Sequence, residues 1–319
     1  MQPVSLALDV QGGDYGSTIL IEGVLEAQKQ SKTELIIYLC GDKNIIQEAL
    51  VSAGVRSSDK KENLIVEHCP QIITTEDVPS RVWKNKKQSS IVRCISLQKE
   101  GVVQASLSAG DTRILISAAM FLLGRSKGVA RPALAAFLPT TSSRQALLLD
   151  VGANLNCRVE HLVSFALMGY EYIKRFFKIE NPSVALLNVG EESSKGTKTI
   201  IEAAKVLAVK CRGFHGYIEG DRVLAGEADV IVCDGFTGNV LLKSCESFHT
   251  LAEKVLDGQP KLIDAIKNKM AILNAENYGA VPLLGLQGVV LKAHGSSSSR
   301  AITQALLTAV RVVEQRVFI

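Results

Sequence analysis

The stretch Ser183–Gly196, SVALLNVGEESSKG, decides how the chain is read, because an apolar run there passes directly into glycine, two carboxylates, two hydroxyls and an ammonium. Val184, Ala185, Leu186, Leu187 and Val189 read as a strand buried on both faces, the kind found in parallel sheets covered by helices. Gly190 ends the run, and from Thr199 the apolar positions Ile200, Ala203, Ala204 and Leu207 follow helical spacing. Glu191 to Lys198 therefore lies on a strand-to-helix loop, the ligand side of an open α/β sheet. Taken alone, such a loop is equally an ordinary surface turn, so the other strand ends must decide.

They repeat the pattern. Val4–Val10 (VSLALDV) runs into QGGDYG ahead of a helix over Ile19–Gln28, although GGDYG is not the GxGxxG of a dinucleotide fingerprint. Strands follow at Leu35–Leu39 and Leu64–Val66, with a helix over Asn44–Ala53 between them. Ser89 and Ser90, preceded by Lys84, Lys86 and Lys87, open a helix whose hydroxyls and free amides make an anion seat. Ala105–Leu107 leads into SAGDT, where Ser108, Gly110, Asp111 and Thr112 form a crossing and Thr112 is positioned to cap the next helix. RPALAAFLPTT carries a strand, Ala146–Leu149 enters DVGAN with Asn154, and Glu160–Phe177 is helical. Val230–Cys233 enters a loop holding Asp234, Gly235, Thr237, Gly238 and Asn239, with helix from Val240 to His249. Glu246–Glu276 reads as helical but for a break at Gly258–Pro260, which predicts a helical pair projecting from the sheet. Val289–Lys292 leads into His294 and Gly295, and Ser296–Ser299 caps a last helix with Ile302, Ala305, Leu306, Ala309, Val310 and Val313 on one face. Six strand ends thus open into loops of small polar residues. If the sheet is parallel they share one edge, and an edge of glycines, hydroxyls and backbone amides with Lys195 and Lys243 nearby suits a phosphate or acyl-phosphate better than a large apolar ligand.

Composition bounds the function. With 319 residues, 47% of them hydrophobic, the chain is expected to form one α/β domain, 1–319, with the helical projection at about 246–277. Only 5% are aromatic, which speaks against a stacking platform for single-stranded nucleic acid. The seven cysteines are scattered, with no CxxC pair and no Cys/His cluster at metal spacing, so reduced thiols and no metal are expected. No apolar run approaches the roughly 20 residues of a membrane span and no signal peptide is evident, which predicts a cytoplasmic protein. The net charge of +4 conceals an asymmetry: from Val78 to Leu149 eleven basic residues face two acidic ones. A field of that sign steers an anionic partner.

The motifs ALDVQGGDYG, KKQSS, SAGDT, RPALA, LPT, LLDVGAN, LLNVGEESSKG, IEG, DVIVCDGFTGN, PLLG and KAHGSS, in this order over nearly the full length, resemble the phosphate acyltransferase family of bacterial phospholipid synthesis. That resemblance implies transfer of an acyl chain from acyl carrier protein to inorganic phosphate. It also implies a doubly wound, mostly parallel α/β fold akin to phosphotransacetylases and isocitrate-type dehydrogenases, a homodimer, no cofactor, and peripheral membrane contact through the helical projection. Lys195, with Ser193 or Ser194, is then expected to orient phosphate or stabilise the oxyanion, and Asn239 to donate to that oxyanion. Gly12, Gly13, Gly110 and Gly238 give close backbone. Asp14, Ser89, Ser90, Ser108, Thr112 and Glu191 line the substrate loops, and Asp234 and Asn154 hold loops in place. His294 either protonates the leaving thiolate or is a structural histidine of its loop. Lys84, Lys86, Lys87 and Arg93 are expected to receive the acidic carrier, so no nucleic acid is needed to explain the charge.

Four departures stand out. Gln11 replaces a methionine, YGAVP stands for YGGAP, the projection is shorter, and SAGDTRI stands where the family reads SAGNTGA. A carboxylate at Asp111 close to bound phosphate would repel it by about 1–4 kcal/mol unless Arg113 neutralises it. A catalytically degenerate homologue that binds carrier protein or acyl-phosphate, and a dehydrogenase on a related fold, are the competing readings.

Overall fold

The computed structural model describes residues 2–55, 62–142, 144–255, 279–315 and 317. In chain order the elements are β1 (Val4–Asp9), α1 (Ser17–Gln30), β2 (Leu35–Gly41), α2 (Lys43–Ser52), β3 (Leu64–His68), α3 (Pro79–Asn85), α4 (Ser90–Lys99), β4 (Ala105–Ser108) and α5 (Thr112–Leu122). There follow β5 (Ala133–Pro139), β6 (Gln145–Leu149), α6 (Val159–Phe177), β7 (Val184–Leu187), α7 (Lys198–Lys210), β8 (Phe214–Ile218), β9 (Val230–Val232) and α8 (Gly235–Val255). The chain closes with β10 (Ala280–Leu284), β11 (Val289–Ala293) and α9 (Ser299–Glu314). It divides into two compact units, Met1–Ser126 with Glu276–Phe318, and Lys127–Ala275 with Ile319. Of the projection expected at about 246–277, residues 256–278 lie outside the described residues.

In the first unit the strands run β3-β2-β1-β4-β11-β10, parallel except that β10 is antiparallel to β11. Leu6 and Leu8, Ile37 and Leu39, Leu107 and Leu291 are buried along four of them. Helices lie on both faces: α1 packs with α9, and α4 covers β1, β2 and β4 and touches α5. The chain leaves β1 toward β2 on one side and returns to β4 on the other, so the β1/β4 gap is a topological switch point. In the second unit the order is β5-β6-β9-β7-β8, with only β5 antiparallel. Here β7 leads through α7 to β8, whereas β9 leads into α8, which packs on β6. The β7/β9 gap is therefore the second unit's switch point.

Several sequence expectations are corrected. The strand at the opening stretch ends at Leu187, and Val189 is 78% exposed beyond it. Helix α8 begins at Gly235 rather than Val240, because the Asp234 carboxylate accepts hydrogen bonds from Thr237 N (2.9 Å) and Thr237 Oγ1 (2.9 Å) and so caps the residues that read as loop. Asp111, not Thr112, caps α5, accepting from Arg113 N and Ile114 N. On α9, Val312 is buried and Val313 only half-buried. No helix among the described residues is long and apolar enough to cross a membrane.

Candidate active site

Three of the six glycine-rich loops gather at the carboxyl edge of each unit. In the second unit they follow β6, β7 and β9, and the first and last interlock around Asp150. This fully buried carboxylate accepts from Leu134 N (2.9 Å), Ala153 N (3.2 Å), Asn154 N (2.6 Å) and Asn154 Nδ2 (3.0 Å). Burial pushes its pKa up, and the four donors only partly oppose this. Asn154 Nδ2 also donates to Pro132 O (2.8 Å), and Gly235 N to Asn154 O (2.8 Å), so Asn154 links the β6 loop to the residue before β5 and to the start of α8. Gly238 lies so close to the Asp150 carbonyl that a Cβ there would overlap it. That approach delivers Asn239, the next residue, over the β6 loop, where its Nδ2 donates to Val151 O (3.2 Å). A second amide hydrogen remains available on an exposed side chain.

On the neighbouring strand, Asn188 pins the loop that carries Lys195. Its Nδ2 donates to Gly190 O and Lys195 O, both at 3.0 Å, which draws the loop's two ends together. Lys195 N donates back to Glu192 O (2.9 Å). Glu191, Ser193, Ser194 and Lys195 all remain exposed. Behind them α7 begins, capped by Thr197 Oγ1, which accepts from Ile200 N (3.3 Å). Its other leading amides and the helix dipole favour an anion in front of the ammonium. Because β7 and β9 are adjacent, the Lys195 and Asn239 loops leave neighbouring strands at the switch point.

The first unit's edge is built the same way on Asp9. Its buried carboxylate accepts from Ser108 Oγ (2.7 Å) and Gln11 N (3.2 Å), and Ser90 is a further hydrogen-bond partner. Burial raises this pKa too, against those hydrogen bonds and the Lys292 charge. Lys292 Nζ donates to the carbonyls of Ala109 (3.2 Å) and Ala293. A Cβ on Gly12 would come within 2.5 Å of Gly110 N, so the two glycines bring the GGDYG and SAGDT loops into contact. Asp14 N donates to Gly295 O (2.8 Å), which joins the third loop, and Gly13 packs over Leu20. Ser89 Oγ is turned inward to Lys86 O (2.7 Å) and Ser90 toward Asp9, so neither hydroxyl faces outward as an anion seat requires. His294 Nδ1 meets Ser296 Oγ (2.7 Å) and accepts from Ser296 N (3.2 Å), which leaves the proton of the neutral ring on Nε2. Asp111 and Arg113 form a forked pair, Nη2 to Oδ2 at 2.8 Å and Nε to Oδ1 at 3.3 Å, that holds the Asp111 carboxyl below its usual range. The exchange at SAGDTRI is thus internally compensated.

The basic segment is less free than its composition suggests. Lys86 Nζ is bound to Asp77 (2.6 Å) and Ile72 O (2.6 Å), and Arg93 to Glu67 (2.7 Å) and Glu100 (2.8 Å). Only Lys84 and Lys87 of the four expected cations stand exposed. Sequence reasoning missed Asp9, Asp150 and Asn188 as organisers, although a signal was present. LALDVQG, LLLDVGA and ALLNVGE each end an apolar run in Asp or Asn, then Val, then glycine within two residues.

Residues 4–319 match the model of a family described as fatty acid synthesis protein. The chain is 40% identical over 325 residues to the phosphate acyltransferase of Dehalococcoides mccartyi, an alignment covering 98% of this chain and 92% of that one. It is 38% identical over 323 residues to the phosphate acyltransferase of Moorella thermoacetica, covering 98% and 93%. Its fold is similar to that of a phosphotransacetylase from Streptococcus pyogenes, with a TM-score of 0.68 at 16% identity over 98% of this chain and 94% of that one. With full-length similarity of this order in sequence and the fold to match, the chain belongs to the phosphate acyltransferase family, a family of transferases.

Proposed function

We propose that the chain transfers a fatty acyl group from acyl carrier protein to inorganic phosphate, releasing acyl-phosphate and the carrier thiol. A phosphate oxygen forms the new bond to the thioester carbonyl carbon, the C–S bond breaks, and its electron pair leaves on sulfur. A thiolate with an ordinary pKa near 8.5 is a good leaving group at neutral pH and takes its proton from water. The protein must therefore seat phosphate without neutralising it and supply donors for the tetrahedral oxyanion. The observation that carries the reading is the exposed Lys195, with Ser193 and Ser194, on a loop pinned by Asn188 at the start of α7. Asn239, on the loop after the adjacent strand, is the oxyanion donor. Exposed Leu155, Val189, Phe236 and Val240 sit on the same three loops or the first turns of α8 and offer apolar contact to an acyl chain. We assign Gly12, Gly13, Asp14, Ser108, Gly110, Asp111 and Thr112 to substrate loops of the first unit and Glu191 to one of the second, and the homodimer belongs to the same proposal.

The test is release of carrier thiol from a long-chain acyl carrier protein, measured with and without inorganic phosphate. Release that saturates with phosphate is the expected result. Binding of the carrier without release would replace the transferase by a degenerate binding protein.

A further inference from the structure

Helices α3 and α5 pack together and place the Trp83 and Phe121 rings in a stack, centroids 4.7 Å apart and planes 15° from parallel. Phe121 is 56% exposed, and Ile72 and Val78 add exposed apolar surface from the segment leading into α3. Arg81, Lys84 and Lys87 are exposed on and just after α3, and none of them pairs with an acidic group among the described residues. Lys86, between them, is already neutralised by Asp77. The patch is thus an aromatic pair edged by three uncompensated cations, in the part of the chain where acids are nearly absent.

The details select among anionic partners. Trp83 Nε1 donates to Ser80 O (3.0 Å), so the indole keeps no free polar tip for a lipid headgroup layer, which is what places tryptophan at membrane interfaces. The two rings cover each other, which leaves no slot for a nucleobase between them. A rigid apolar platform with cations about it fits the apolar stripe and flanking carboxylates of an acidic amphipathic helix. Helix α3 also leads toward the first unit's loop edge, and α5 runs from it. Lys87 precedes Ser90, which reaches Asp9, and α5 starts at the SAGDT loop, with Phe121 about 14 Å along it from Thr112 at 1.5 Å per residue.

We propose that Trp83 and Phe121, with Arg81, Lys84 and Lys87, dock an acidic helix of the acyl carrier protein. This rests on the transferase reading above and moves the carrier site away from Lys86 and Arg93.

The experiment compares two donors with one thioester chemistry, long-chain acyl carrier protein and long-chain acyl-pantetheine. The variants are Phe121→Ala, the double variant Lys84→Glu/Lys87→Glu, and Lys205→Glu as a charge control on the exposed side of α7. The first two should each raise the KM for the carrier about tenfold, the charge reversal alone flattening its salt dependence, with kcat and the acyl-pantetheine rate unchanged and the control silent. An unchanged carrier KM in both overturns the proposal. If the wild type releases no thiol from either donor, the transferase reading fails. Direct titration with fluorescent acyl carrier protein then decides docking, supported by binding that Lys84→Glu/Lys87→Glu abolishes and overturned by none. Co-sedimentation with phosphatidylglycerol vesicles that these charge reversals abolish, with carrier KM unmoved, would assign the patch to lipid instead.

Discussion

Lys195 and Asp111 carry charges that the sequence makes look alike in importance, yet the structure uses them differently. The Lys195 side chain is exposed and makes no hydrogen bond or ion pair to a described residue, so its truncation removes charge without leaving a buried group unsatisfied. Lys195→Ala is expected to abolish phosphate-dependent thiol release while the Tm stays within about 1 °C of wild type, as surface substitutions do. Full activity would remove the residue from the proposed mechanism. Asp111 instead caps α5 and is held by Arg113. Asp111→Ala should lower stability by about 1 kcal/mol through loss of the cap, and Asp111→Asn should retain it. The sign of its pH dependence follows from the depressed pKa. Its contribution is complete above the unfolded value of 3.8 and is lost as pH falls through the lower folded value. Arg113→Ala should return that carboxyl toward 3.8, an outcome NMR titration reads directly.

At the scale of the element, the Lys195 loop depends on one amide and one backbone conformation. Asn188 Nδ2 ties Gly190 to Lys195, and Gly196 lies in the left-handed region at φ 96° with Asn188 Oδ1 where a Cβ would have to stand. Any side chain at Gly196 meets both strain and that oxygen. Gly196→Ala and Asn188→Ala should each reduce kcat far more than they raise the carrier KM. Asn188→Asp, which replaces the two donors by an acceptor, should fare no better than alanine. Equal loss in kcat with a normal proteolysis pattern of the loop would argue against the tether. Elements with a periodic apolar face were legible: α7, α9 and β1 fall within a few residues of expectation. Helix α3 was not, since it buries only Val82 in seven residues and has no stripe to read. β10 was hidden by Pro282, which argues against a strand on local grounds. The start of α8 was hidden because Gly235, Thr237 and Gly238 are loop residues by propensity. They are helical here because Asp234 caps them and because only glycine fits beneath the Asp150 carbonyl.

For the whole molecule, the six loops were legible as a class but not as two sets of three, because which strands neighbour one another is fixed by non-local pairing. What the two sets share is a buried aspartate, and this has a measurable consequence. Asp9 and Asp150 both have carboxyls pushed above 3.8 by burial, so between that value and each folded pKa the native state holds protons that the unfolded chain has released. The stability these two groups contribute must therefore fall as pH rises through that window. Asp77 and Asp111, held down by Lys86 and Arg113, act oppositely below 3.8, where stability rises with pH. The two buried carboxyls thus contribute a descending limb on the neutral side of 3.8, which His161, its ring held below the usual range by burial, opposes as pH rises toward 6.5. That limb belongs to the two buried groups, since Asp9 faces Ser90, Ser108, Gln11 and Lys292, whereas neutral donors surround Asp150. Asp150→Asn should lower the Tm at every pH, because its amide cannot accept from Leu134, Ala153 and Asn154 at once, at about 1–3 kcal/mol for each donor left unsatisfied. It should also flatten the descending limb, as Asp9→Asn should independently. A Tm profile from pH 3 to 8 in which both variants keep the wild-type slope would mean that neither carboxyl is protonated more readily in the folded protein.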